Sequence, residues 1–217
     1  MIRNIIFDFG GVIIDIDFQR TIDAFKVMGA KDFDLRFSQA SQSGIFDELD
    51  KGRISEDEFT ETLRQWLPPG ISREEVREAW NRIILDIPSE RILLLQSLKN
   101  NYRTFLLSNT NSIHYALYTD DLKRQHGISG LHALFEKVFL SFELGMRKPD
   151  REIFEYVFRV SGCSREESLF IDDSLHIAEA ACTYGIPVYW LQKGQEVGDL
   201  FEDGLLRKDL DIWFQKA

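Results

Sequence analysis

The sequence predicts an α/β fold: a doubly wound parallel sheet with a small all-helical block inserted after the first strand. Three observations predict it. A short apolar strand, Ile5-Ile6-Phe7, ends in Asp8 and is broken by Gly10 and Gly11. Residues 17–87 then carry only helical spacing, and from residue 88 onward strand-length apolar runs alternate with helix-length segments, the pattern of parallel strands joined by crossover helices.

In chain order, the stretch Arg3 to Asp17, RNIIFDFGGVIIDID, places a carboxylate at a strand tip beside two glycines. Glycines there let the backbone turn tightly and approach a ligand that a Cβ would obstruct. Asp8 is therefore either a reactive group or an ordinary turn residue bonding its own backbone. Helical spacing follows at Phe18, Ile22, Phe25 and Met28, then at Phe59, Leu63 and Trp66, then at Val76, Trp80, Ile83 and Ile84. Ser55 with Glu58 and Ser72 with Glu75 form capping boxes, and Gly44, Gly52 and Pro68-Pro69-Gly70 supply turns. Pro88 interrupts this pattern, and Ser89 is expected to cap a helix carrying Ile92, Leu95 and Leu98. Strands are expected at 104–108, 137–142, 169–172 and 187–191, with helices near 112–124, 150–160 and 175–184. The segment 205–214 is expected to close the fold as an amphipathic helix. The expected division is a core of residues 1–16 and 88–217 and a helical unit of residues 17–87.

The 217 residues, 44% of them hydrophobic, suffice to bury a sizeable core. No apolar run approaches the ~18 residues of a membrane span, and no secretory signal pattern is present, so a cytoplasmic location is expected. Cys163 and Cys182 are too few for a disulfide scaffold, and no Cys/His cluster has zinc spacing. A formal charge of −10 repels nucleic acid and anionic membranes. Neither is expected as a partner, and the chain is expected to act as a monomer or weak dimer. An anionic substrate must then be held by local positive charge.

Open parallel sheets bind ligands outside the carboxyl ends of their strands, so the residues at those ends belong together. They are Asp8, Ser108 with Asn109 and Thr110, and Asp172 with Asp173, with Lys148 on the GMRKPD loop in reach. Phosphoryl transfer through an aspartyl-phosphate needs such a set. A carboxylate attacks phosphorus, and water hydrolyses the resulting mixed anhydride. Two anions must meet, so cations are required. Asp8, a backbone carbonyl near Gly10 and Asp173 can hold Mg²⁺, with Asp172 in reach through water. Lys148 would neutralise further charge, and the Ser108 hydroxyl with backbone N–H groups around Gly10, Gly11 and Asn109 would hold phosphoryl oxygens.

These stretches resemble the four motifs of the haloacid dehalogenase-like hydrolase superfamily, most of whose members are Mg²⁺-dependent phosphatases. By that resemblance Asp8 is the nucleophile, Ser108 the hydroxyl of the second motif, Lys148 the lysine of the third, and Asp172-Asp173 the acidic pair of the fourth. The resemblance implies a Rossmann-like core and a helical cap of the C1 type. FDFGGVIIDID, GRISEDEF, LLSNTN, LGMRKPDREIF and FIDDS are similar to the bacterial alpha-D-glucose-1-phosphate phosphatase group. The implied function is hydrolysis of a small phosphorylated metabolite, a sugar phosphate such as alpha-glucose 1-phosphate.

One position departs from the superfamily pattern. The usual first motif carries an acid/base aspartate two residues after the nucleophile, and here that residue is Gly10. Proton transfer, commonly worth about 10²- to 10⁴-fold in rate, must come from elsewhere or be forgone. Asp15 or Asp17 could substitute, although Asp17 also suits a helix cap. Two other readings stay open. A metal-independent dehalogenase tolerates Gly10 but gains nothing from a clustered acidic pair, and a non-catalytic phospho-ligand-binding relative would explain the missing acid/base group. His176, the tryptophans and Arg147 each have ordinary structural explanations: a helix start, apolar faces and a surface ion pair. Arg147 could equally add to the anion field beside Lys148.

Overall fold

A computed structural model describes residues 1–37 and 44–214. At its centre is β1 (Asn4–Phe7), buried along its whole length. It pairs in parallel with β2 (Arg103–Ser108) and β4 (Ser168–Asp172), in register Ile5 with Thr104 and Leu169. β3 (Lys137–Leu140) and β5 (Val188–Trp190) complete a five-stranded parallel sheet of order β3-β2-β1-β4-β5.

Alternate side chains of each strand leave on opposite faces and build two separate cores. Ile5, Phe7, Leu106, Leu169 and Ile171 pack with α6 (Ser89–Leu98) and α7 (Ser112–His126). Ile6, Phe105, Leu107 and Phe170 pack with α9 (Arg151–Ser161) and α10 (Leu175–Thr183). Burial of each such side chain is worth roughly 1.5–3 kcal/mol. The sheet is thereby sandwiched on both faces and its strand tips are left as the free edge.

The helical insertion leaves and re-enters the core through a two-stranded neck. Ile16 bridges antiparallel to Ile84, the Asp17 N–H donates to the Ile83 carbonyl (2.9 Å), and the Leu85 N–H donates to the Asp15 carbonyl (3.0 Å). Within the insertion, α1 (Phe18–Met28), α2 (Phe33–Arg36), α3 (Ile45–Asp50), α4 (Glu56–Arg64) and α5 (Arg73–Asn81) surround an aromatic core. Phe25 stacks on Phe33 at 4.0 Å, and Phe46 and Phe59 lie against Trp80. Both capping boxes form, with Ser55 and Ser72 accepting from the Glu58 and Glu75 N–H groups.

Three expectations are corrected. The strand at 137 stops at Leu140, because the chain turns there into the short helix α8 (Ser141–Leu144). Ser89 does not cap α6; it is its first residue, and Pro88 holds the flanking position. No helix closes the chain at 205–214. Instead β6 (Phe201–Glu202) and β7 (Leu205–Leu206) form a hairpin across Asp203 and Gly204, and Trp213 bridges antiparallel to Val188. Leu206, Leu210 and Ile212 are partly buried against the first core. The open edge of β5 supplies the hydrogen-bonding partner.

Candidate active site

The strand tips bring four groups together. Asp8 directly follows β1, its N–H donating to the Ile171 carbonyl at 2.9 Å. Ser108 ends β2, Asp172 ends β4 and Asp173 follows it. Ligand oxygens of Asp8, Asp172 and Asp173 can all lie within 4.8 Å of one another. The Lys148 ammonium, on the loop between α8 and α9 and 1% exposed, stands 2.7 Å from Asp8 and 2.7 Å from Asp172.

Asp172 is fully buried and committed on both oxygens. One accepts from Lys148 Nζ, the other from the Ser174 N–H at 2.9 Å. It therefore orients the lysine and the turn into α10. Asp173 is held through its backbone, whose carbonyl accepts from Trp190 Nε1 at 3.0 Å, leaving its carboxylate toward Gly11. Gly11 is required there on two counts. Its φ is +73°, and a Cβ on it would lie 2.2 Å from Asp173 Oδ2. Its N–H donates to the Ile14 carbonyl at 2.8 Å.

Asn109, next to Ser108, clamps the Lys148 backbone at both ends. Its amide donates to the Lys148 carbonyl (2.8 Å) and its oxygen accepts from the Lys148 N–H (2.9 Å). The Ser141 hydroxyl bonds both the N–H and the carbonyl of Thr110 at 2.9 Å and secures the same loop.

Electrostatically the cluster is short of positive charge. Burial pushes the Asp8 carboxyl up to about 7, with Lys148 opposing and Asp172 and Asp173 adding to the rise. Burial, then Asp172, pushes Asp173 up to about 6. Burial works against the Lys148 charge, but Asp172 and Asp8 outweigh it and hold the ammonium above its ordinary range. Three carboxylates share one lysine. A divalent cation fits the donor set, since hard oxygens converge on it and its charge would lower both raised carboxyls.

Above this floor lies a cavity of about 910 Å³, walled by Ile16, Phe18 and Ile84 from the neck and insertion and by Asn109, His176 and Trp190 from the core. Gly10 lines it, and a Cβ on Gly10 would meet Ile16 Cδ1 at 3.1 Å. The space beside Gly10 is thus occupied by hydrocarbon. Asp15 pairs with Arg91 at 2.7 Å, and Asp17 caps α1 by accepting from the Gln19 N–H at 2.9 Å. Neither aspartate lines the cavity, so the substitution considered for them has no geometric support.

Several neighbours were not resolvable by spacing. His114, on α7, is buried, stacks on Trp80 at 5.0 Å, and has Nε2 3.3 Å from the Trp80 carbonyl; burial lowers its pKa to about 4. Trp80 belongs to the aromatic core of the insertion and also reaches the cavity wall. Arg147 is buried and pairs with Asp47 on α3 at 3.1 Å and with Asp50 at 3.9 Å. The only signal for that contact in the sequence was the position of Arg147 beside Lys148.

Comparison with known proteins agrees with this geometry. A family model described as haloacid dehalogenase-like hydrolase matches residues 2–182. A D-ribitol-5-phosphate phosphatase of Bacteroides thetaiotaomicron is 35% identical over 182 residues, 82% of this chain and 88% of that protein. The structure of a HAD family enzyme of the same organism, in complex with magnesium and inorganic phosphate, superimposes with a TM-score of 0.84. Its identity is 34%, over 93% of this chain and 100% of that one. A HAD-like family hydrolase of Porphyromonas gingivalis superimposes with a TM-score of 0.80 at 34% identity, over 90% of this chain and 93% of that one.

Proposed function

The chain belongs to the haloacid dehalogenase-like hydrolase family, and from that membership we propose that it is a Mg²⁺-dependent phosphatase acting through an aspartyl-phosphate on Asp8. The substrate is a small phosphorylated metabolite, a sugar or polyol phosphate. The observation that carries this reading is the placement of Lys148 Nζ at 2.7 Å from both Asp8 and Asp172, with Asp173 alongside.

In this reading an Asp8 oxygen attacks phosphorus, and the bond from phosphorus to the leaving oxygen breaks with its electron pair going to that oxygen, which takes its proton from water because position 10 is glycine. Water then cleaves the mixed anhydride and returns Asp8 to a carboxylate. Lys148 screens the approach of two anions, and Asp172 keeps its ammonium in place. The Ser108 hydroxyl, at the tip of β2, donates to a phosphoryl oxygen. Asp8 and Asp173 would hold Mg²⁺ with a backbone carbonyl near Gly10, and Asp172 would act from behind. The ion supplies charge neutralisation at the phosphoryl oxygens when bound.

Support for a polyhydroxylated substrate is the phosphatase relative, named for ribitol 5-phosphate, and the sequence similarity to the glucose-1-phosphate phosphatases. The test is phosphate release from alpha-glucose 1-phosphate, D-ribitol 5-phosphate and related esters, with Mg²⁺ and with EDTA. Turnover is expected only with metal and is expected to vanish in Asp8→Asn. Phosphate binding without turnover of any ester would replace this reading with a non-catalytic phospho-ligand-binding protein.

A further inference from the structure

We propose that the loop carrying Lys148 is a mechanical coupling between the helical insertion and the catalytic centre, with Arg147 as the positioning residue. Consecutive residues of this loop face different parts of the molecule. Arg147 Nη1 donates to Asp47 at 3.1 Å and its second nitrogen lies 3.9 Å from Asp50, both on α3 of the insertion. Lys148 reaches instead to Asp8 and Asp172, and both residues line the same cavity. Two residues on, Asp150 lies 3.7 Å from Lys51, which also pairs with Asp47 at 3.0 Å. One short loop thus grips α3 on one side and the nucleophile on the other.

The contact is built into the interior. Arg147 is 8% exposed and is joined to α3 by side chains that are themselves largely covered. Asn111 donates to Asp50 at 3.2 Å, so α3 also rests on the segment after β2. Gly52 lets α3 come this close: its φ is +62°, and a Cβ there would stand 2.2 Å from the Phe142 carbonyl oxygen. Removing one partner of such a largely covered pair strips the buried Arg147 guanidinium of that counter-charge, which is costly. A displacement of α3 is therefore transmitted to the Arg147 guanidinium and through one peptide to the Lys148 backbone. Asn109 holds that backbone on the core side. The position of the insertion sets the reach of the Lys148 ammonium, so the centre is competent only when α3 is docked.

This inference rests on the phosphatase reading, and its test separates the two. Asp47→Asn, Asp50→Asn and Arg147→Met are compared with wild type on acetyl phosphate, whose leaving group is only an acetate, and on a sugar phosphate, whose larger leaving group extends further into the cavity that α3 helps to line. Hydrogen exchange of the peptide containing Lys148 is followed in parallel, and circular dichroism confirms folding. Coupling predicts that kcat falls roughly 10- to 100-fold on both substrates, as misplacement of a catalytic group does, with KM for acetyl phosphate little changed. It also predicts faster exchange around Lys148, with Arg147→Lys recovering part of both. Should Arg147→Met not fold, the isosteric Asp47→Asn carries the same test. A loss confined to the sugar phosphate, or unchanged exchange in folded variants, would overturn the coupling. Failure of wild type to hydrolyse any ester would remove the phosphatase reading, while the exchange comparison would still decide the coupling.

Discussion

Gly11 has a steric reason for its identity that is independent of any chemistry assigned to the site. Its positive φ and the 2.2 Å clash that a Cβ would make with Asp173 Oδ2 mean that Gly11→Ala must displace that carboxylate. Backbone strain at such a position costs on the order of 1–3 kcal/mol. We expect Gly11→Ala to weaken Mg²⁺ binding, requiring at least about tenfold more metal for half-maximal turnover (about 1.4 kcal/mol), as a metal titration would show. Gly10 differs in kind: a Cβ there would meet Ile16 Cδ1 at 3.1 Å, so an aspartate at position 10 displaces the end of the Ile16 side chain and no carboxylate. That Asp8, Ser108 and the Asp172-Asp173 pair meet at one edge was legible, because each follows an apolar run whose neighbours pair in parallel. The clamp of Asn109 on Lys148 and the Arg147–Asp47 pair were not legible. The latter joins positions 100 residues apart, and periodicity reports only local order.

Elements with local signals are the ones read most closely from sequence. Ser55 and Ser72 announce α4 and α5 because a hydroxyl followed three residues later by glutamate satisfies free N–H groups reciprocally. Ser55→Ala and Ser72→Ala are each expected to cost about 1 kcal/mol, measurable by urea denaturation as a shifted midpoint with unchanged slope. The chain end differs from the expected helix for the complementary reason. Two-residue strands such as β6 and β7 are too short to show alternation, and the pairing of Trp213 with Val188 depends on an edge that exists only once the sheet is assembled. The short helix α8 was hidden likewise inside an apolar run.

Across the whole molecule, two sets of buried groups give stability opposite pH dependences. Asp8 and Asp173 titrate near 7 and near 6 in the folded protein against an ordinary 3.8. Above that ordinary value the unfolded chain has released protons that the folded state keeps, so their contribution is lost as pH rises toward 7. His114 behaves inversely: held neutral to about 4 against an ordinary 6.5, it costs stability as pH falls below 6.5. Two carboxyls oppose one imidazole. The metal-free protein is therefore expected to melt at a lower temperature at about pH 7.5 than at about pH 5.5, with Mg²⁺ raising the melting temperature more at the higher pH. Equal metal shifts at the two values, measured by calorimetry, would exclude the carboxylates as ligands. The strand order has a different consequence, in time. β1 is made first, yet its partners are β2 and β4, about 100 and 164 residues later. At roughly 5–20 residues per second on the ribosome, the strand bearing Asp8 waits on the order of ten seconds for its first neighbour. Meanwhile the insertion, whose core is assembled almost wholly from residues 25–83, is synthesised whole. The nascent chain cannot hold a complete catalytic centre until β4 has emerged, so Asp8 and the Asp172-Asp173 pair stay apart while the intervening chain is made.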